Sequence, residues 1–146
     1  MTKLAEGYKP SEDEEYMNDK QLQYFKEKLI KWRENLIRDA QSAMEQLREI
    51  NLNEPDAIDQ ASAEFETAAM LRAKGRNQNL ISKIEYALKC IEDKTYGYCE
   101  ETGEPIGLAR LEARPVATLC IEAQERCERH ERTHIEADGW GACLNF

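Results

Sequence analysis

The 146-residue chain carries 29 acidic against 20 basic side chains, a net charge of −9, and 34% of its residues are charged. That balance counts against nonspecific binding to nucleic acid, which needs Lys and Arg to neutralise phosphates, and it favours a protein partner over naked DNA. No run approaches the roughly 20 apolar residues that span a bilayer, and nothing near the N-terminus reads as a signal core, so a cytoplasmic chain with no membrane partner is expected.

Residues 1–17 are polar, contain Gly7 and Pro10, and show no sustained period; they read as a mostly irregular arm that docks through Tyr16 and Met17. From Asn18 the pattern changes. Asn18 or Asp19 can cap a helix whose apolar residues fall at Leu22, Phe25, Leu29, Trp32, Leu36, Ala40, Ala43, Leu47 and Ile50, a heptad seam with one stutter after Leu36. Such a helix is about 45–50 Å long.

A short acidic turn follows, Asn53-Glu54-Pro55-Asp56-Ala57-Ile58-Asp59-Gln60-Ala61. Pro55 suits the first position of a helix, where its missing N–H is not needed, and Asn53 or Glu54 can cap it. Asp56 and Asp59 then lie three residues apart on one face. Two readings stand side by side here: the acids complement the helix dipole, or a rigid arm delivers two carboxylates to something distant.

The second helical run starts at Pro55 and places apolar residues at Ile58, Ala61, Phe65, Ala68, Ala69 and Leu71, then at Leu80, Ile81, Ile84, Ala87, Leu88 and Ile91. Between them Arg72 to Asn79 is almost wholly polar and contains Gly75, which marks a soft spot or a contact surface, not a packing layer. Two long helices joined by a few residues fold back antiparallel, so the spacing predicts a hairpin with the acidic turn at its end. The second helix is expected to stop near Tyr96-Gly97, with glycine as its C-terminal cap.

Beyond it, Tyr98-Cys99-Glu100-Glu101-Thr102-Gly103-Glu104-Pro105-Ile106-Gly107 has the look of a metal knuckle that lacks a ligand. A structural zinc site takes two Cys-x2-Cys pairs, because four ligands close the tetrahedron. Here Thr102 follows Cys99 and Ala123 follows Cys120 at the ligand positions, so zinc is not expected and packing by Ile106, Leu108, Leu111, Val116, Leu119 and Ile121 must replace it. All five cysteines, Cys90, Cys99, Cys120, Cys127 and Cys143, read as thiols or metal ligands before disulfides. A rearranged metal site in which Cys127, His130 and His134 join Cys99 and Cys120, and a reversible Cys99–Cys120 disulfide, are the other readings. Ile121 to His134 reads as a short helix dense in Glu and Arg, and 135–146 as a tail in which Trp140, Leu144 and Phe146 are the apolar residues.

Three segments taken together resemble the DksA/TraR family of bacterial RNA polymerase regulators: Asp56-Ala57-Ile58-Asp59-Gln60-Ala61, Tyr96-Gly97-Tyr98-Cys99, and Arg110-Leu111-Glu112-Ala113-Arg114-Pro115 leading to Cys120-Ile121-Glu122. The resemblance runs from about Glu14 to Ala123. It implies a mainly α fold: an N-terminal arm (1–17), a coiled-coil hairpin (18–95) with its tip near 53–61, a zinc-finger-like globular module and helix (96–134), and a C-terminal tail (135–146). It also implies a noncatalytic transcription regulator that enters the secondary channel of RNA polymerase, with Asp56, Asp59 and Ala61 as the tip, and alters open-complex stability at ribosomal RNA promoters in the stringent response.

Guanosine tetraphosphate (ppGpp) is the effector the resemblance implies, and Lys83, Arg114 and Leu80 match the family's contacts to it; a Lys point charge beside an Arg fork is sensible phosphate chemistry. Gln124 stands where the family has a further basic contact, which implies weaker coupling. No cofactor is required and a monomer is expected. The two-cysteine knuckle matches family forms with fewer cysteines, which implies a head that works when zinc is scarce. Two alternatives remain open: a transcript-cleavage factor of the same channel, and a thiol-based redox switch on Cys99 and Cys120.

Overall fold

The computed structural model describes residues 7–52 and 57–138, with side chains described for 7–49 and 61–133. The turn at 53–56 and the tail from 139 onward, with Cys143, Trp140, Leu144 and Phe146, lie outside the described residues, as does the side chain of Ile50. Among the described residues four helices follow in order: α1 (Asp19–Leu52), α2 (Ala57–Glu92), α3 (Leu108–Ala113) and α4 (Ile121–Asp138). Among the described residues the one β feature is an antiparallel bridge between Tyr98 and Pro105.

The start of α1 is set by side-chain chemistry. Asn18 is the cap: its Oδ1 accepts the Gln21 N–H at 2.8 Å, and Gln21 reaches back so that its Oε1 accepts the Met17 N–H at 2.9 Å. Gln21 is fully buried, and its amide also donates to the Ser11 carbonyl at 3.2 Å, so the polar group sits in the core with its partners in place. These bonds fix the arm onto the helix entry.

The described chain divides into two units, the part from 30 to 85 and the part formed by residues up to 29 together with those from 86 onward. In the 30–85 unit α1 and α2 run antiparallel. Positions 63, 67, 70, 74, 77, 81 and 84 form a 4–3 stripe on α2 whose members are all half-buried or buried. That stripe holds Thr67, Lys74 and Asn77 as well as Ala63, Met70, Ile81 and Ile84, which corrects the expectation of a polar middle outside the packing layer. Phe65 and Leu71, counted from sequence with the apolar run, are instead 72% and 55% exposed. They lie six residues apart, about 240° round a helix, so they share no face. Between the two helices of this unit lies a groove of about 410 Å³ lined by Ile37, Ala40, Met44, Lys74, Asn77 and Ile81 among others.

In the other unit Phe25 and Leu29 of α1 are fully buried, as are Leu111 of α3 and Ala123 of α4. Tyr96 packs its ring 5.6 Å from Phe25 and donates its hydroxyl to the Pro115 carbonyl at 2.7 Å, so its polar tip is satisfied inside the core. Ile106, Leu108 and Val116 are buried as expected, whereas Ile121 is 56% exposed because it opens α4 on the outer face. Lys28 of α1 holds α3 by an ion pair to Glu112 at 2.7 Å and a hydrogen bond to the Glu112 carbonyl at 2.8 Å.

Two boundaries differ from the expectation. Helix α2 ends at Glu92, not at Tyr96-Gly97. Its last turn closes as a Schellman motif, with the Lys94 N–H donating to the Ile91 carbonyl at 3.2 Å and the Thr95 N–H to the Cys90 carbonyl at 2.9 Å, and Lys94 takes the left-handed conformation (φ 58°) usually left to glycine. Helix α4 runs on past His134 to Asp138.

Candidate functional site

Gly97 does different work from a helix cap. Its φ is 92°, and a Cβ built there would lie 2.7 Å from the Cγ and Sδ of Met17, so glycine is what lets the arm lie on the start of the knuckle. Tyr16, next to Met17, completes the contact. Its hydroxyl donates to the Gly97 carbonyl at 2.7 Å and accepts the Gly107 N–H at 3.1 Å, tying both ends of the knuckle together. Tyr16 and Met17 are thus the residues through which the arm meets the knuckle.

Between those ends the backbone folds as a zinc-type knuckle. The Cys99 N–H donates to the Glu104 carbonyl at 2.8 Å, the Gly103 N–H returns to the Cys99 carbonyl at 2.8 Å, and the Ile106 N–H reaches the Gly97 carbonyl at 2.8 Å. The Glu100 N–H crosses to the Thr118 carbonyl at 3.0 Å, joining the second half that carries Cys120. Arg110 braces that half through its Nε–H to the Leu119 carbonyl at 3.0 Å.

Cys99 and Cys120 are buried free thiols, and the Thr102 hydroxyl sits 3.8 Å from the Cys120 sulfur. Burial pushes the Cys99 thiol up, but the Thr102 hydroxyl and the backbone N–H groups of Cys120, Thr102 and Glu101 point at its sulfur and together lower it to about 7. The donor set is therefore two sulfurs, one hydroxyl that is spent on hydrogen bonds, and the methyl of fully buried Ala123. That set does not fit a four-coordinate structural zinc, which takes thiolate, imidazole or carboxylate at all four corners. Among the described residues no three His, Cys, Asp or Glu side chains converge, and Cys127 is disulfide-bonded, which corrects its reading as a thiol or metal ligand; the side chain of His134 lies outside the described residues.

The other sequence-designated residues stand as follows. Asp56 lies outside the described residues; Asp59 is on the first turns of α2 with its side chain outside them, and Ala61 is exposed on the same helix. Leu80 and Lys83 are half-buried neighbours on α2. Arg114 follows α3 and is exposed, and its backbone N–H donates to the Arg110 carbonyl at 2.8 Å. Among the described residues neither the Lys83 ammonium nor the Arg114 guanidinium has an ion-pair partner; Glu112, two residues before Arg114, is paired with Lys28.

One cluster went unnoticed in the sequence. Tyr86 donates its hydroxyl to Glu100 Oε1 at 2.5 Å, and the two residues stand at the mouth of a cleft of about 440 Å³ that also takes in Cys90, Tyr96, Tyr98 and Cys99. The available signal was the one-turn spacing of Tyr86 and Cys90 on α2.

Comparison with known proteins agrees with this architecture. Residues 21–91 match the N-terminal domain of the DnaK suppressor protein DksA, and residues 94–129 match the prokaryotic dksA/traR C4-type zinc finger. The RNA polymerase-binding transcription factor DksA of Caulobacter vibrioides is 56% identical over 127 residues, covering 87% of this chain and 89% of that protein. The chain belongs to the DksA/TraR family. The DksA of Escherichia coli K12 is 41% identical over 128 residues, 88% of this chain and 85% of that one. The solved structure of the transcription factor DksA2 from Pseudomonas aeruginosa superposes with a TM-score of 0.75 at 42% identity, covering 80% of this chain and 90% of that one. The DksA/TraR match extends through the knuckle although two of its four ligand positions hold Thr102 and Ala123.

Proposed function

We propose that this protein is a noncatalytic regulator of transcription that binds RNA polymerase through the secondary channel. The observation that carries the reading is its identity to DksA proteins along most of both chains, with the acidic tip segment Asp56-Ala57-Ile58-Asp59-Gln60-Ala61 retained in the sequence. Asp56, Asp59 and Ala61 meet the polymerase near its active centre, and the tip shifts the open-complex equilibrium by binding one state more tightly than the other, the one way a ligand can shift it. The exposed Ala61 and the exposed Phe65 one turn on are consistent with a tip that is completed by a partner.

Guanosine tetraphosphate is the effector in this reading, with Lys83, Leu80 and Arg114 as its contacts on the polymerase complex and Gln124 limiting the strength of coupling. Among the described residues neither Lys83 nor Arg114 has an ion-pair partner, which supports the reading, since a phosphate would meet charges not already spent there. The chain acts in the cytoplasm as a monomer, without sequence-specific DNA binding, and its head holds together without zinc.

A direct test measures binding to core polymerase in competition with a transcript-cleavage factor of the same channel. Mutually exclusive binding, with no 3′ RNA fragments released from backtracked complexes, supports the regulator; simultaneous binding contradicts it, and RNA cleavage turns the reading to the cleavage factor. A second reading, regulation by thiol oxidation, draws on the Thr102 hydroxyl lying between the Cys99 and Cys120 sulfurs. A change of activity on oxidation that is abolished by Cys120→Ser distinguishes it.

A further inference from the structure

The cleft beside the knuckle lies wholly within the unit that carries α3 and α4, and the regulatory reading makes no use of it. Its walls are the last turns of α2 (Tyr86, Ala87, Cys90) and the start of the knuckle (Tyr98, Cys99, Glu100). A volume of about 440 Å³ is within the range of clefts that hold small ligands or single side chains. Tyr86 and Tyr98 stand exposed at the mouth. Tyr98 is held by a T-shaped contact to Tyr16 with centroids 5.6 Å apart, while Tyr86 pairs with no other ring among the described residues, so its face is left for a visitor.

The charge at this mouth is one-sided. Glu100 accepts from the Tyr86 hydroxyl through Oε1 alone, its Oε2 has no partner among the described residues, and the lining residues include no Lys or Arg. Two aromatic rings beside an anchored carboxylate form the arrangement that attracts a cation over a ring face while hydrogen-bonding it at the edge. A planar guanidinium meets both demands at once, because it stacks flat on an aromatic ring and presents N–H groups in its plane to a carboxylate. A chain of net charge −9 draws such a group in by its overall field as well.

We propose that the Tyr86–Tyr98–Glu100 cleft is a receptor for an arginine side chain of a protein partner. The inference is independent of the polymerase reading, since it names the chemistry of the group received and not the protein that presents it.

The test titrates the full chain, with isotope-labelled tyrosine, with N-acetyl-L-arginine amide and with the neutral isostere N-acetyl-L-citrulline amide, following the ring resonances of Tyr86 and Tyr98 by NMR. The expected result is saturable shifts with the arginine compound and binding at least about tenfold weaker with citrulline, the scale of one cation–π contact joined to a charged hydrogen bond. Glu100→Gln and Tyr86→Leu, both at exposed positions, are each expected to weaken the arginine compound by about fivefold or more while the melting temperature shows the chain folded. Equal binding of citrulline, no saturable shift, or full binding by both variants overturns the proposal. Free L-arginine binding where the capped amide does not would identify a metabolite as the ligand and overturn the assignment to a protein side chain.

Discussion

The Thr102 hydroxyl lies 3.8 Å from the Cys120 sulfur, at the place in the knuckle where a zinc-type module has a thiolate. Ala123 stands at the other missing corner, fully buried. Because the turn bonds of the knuckle persist without four ligands, the double variant Thr102→Cys/Ala123→Cys is expected to take up one zinc per chain. Elemental analysis of protein purified without chelator checks it, and chelation should lower the variant's melting temperature while leaving the wild type unmoved. A double variant without zinc would mean that the backbone has departed from the geometry a tetrahedral site needs.

The hydrogen bonds around Cys99 carry a pH signature. With its thiol held at about 7 against an ordinary value of 9.0, the group contributes stability that is fully present above the ordinary value and lost as pH falls through the lowered one. Thr102→Val removes one donor and raises the thiol. The difference in melting temperature between wild type and this variant is therefore expected to widen as pH rises from 7 to 9.0. A constant difference across that window would show that the hydroxyl acts only through packing.

Tyr16→Phe removes a hydroxyl that serves the Gly97 carbonyl and the Gly107 N–H together. Leaving two backbone groups without this partner costs about 1–3 kcal/mol, read from urea unfolding. The ring contact to Tyr98 is retained in the variant, so a loss of this size reports the hydroxyl and not the packing. No measurable loss would mean that water replaces it.

The two glycines at 97 and 75 should respond in opposite senses. Gly97→Ala combines a φ of 92° with a Cβ 2.7 Å from the Met17 side chain, and it is expected to destabilise the head and loosen the arm. Gly75 lies within α2 with open space around the added Cβ, so Gly75→Ala is expected to stabilise by about 1 kcal/mol. Thermal unfolding of both variants checks the pair; stabilisation by the first or loss by the second would contradict the reading of these backbones.

The long helices were legible because a heptad seam repeats over many turns, and Leu22, Phe25, Leu29 and Leu47 supply it on α1 without ambiguity. The partner stripe on α2 was harder to find, since it sets Thr67, Lys74 and Asn77 among apolar residues while Phe65 and Leu71 lie outside it. The end of α2 at Glu92 is not legible in the sequence, because Lys94 takes the left-handed cap position that glycine usually fills, and Gly97 is needed for the approach of Met17. Helix α3 is not legible in the sequence, since six residues give too short a window for periodicity. The knuckle was legible from ligand spacing, but the place of the Thr102 hydroxyl between two sulfurs depends on tertiary contacts that no local pattern encodes.

The most direct test of the regulatory reading is multi-round transcription from a ribosomal RNA promoter by purified polymerase, comparing wild type with Asp59→Asn, with and without guanosine tetraphosphate. Inhibition by the wild type that deepens with the nucleotide, and its loss in a variant that still binds polymerase, is the predicted result. Equal inhibition by both proteins would contradict the role of the tip carboxylate, and no inhibition by the wild type would contradict the account as a whole.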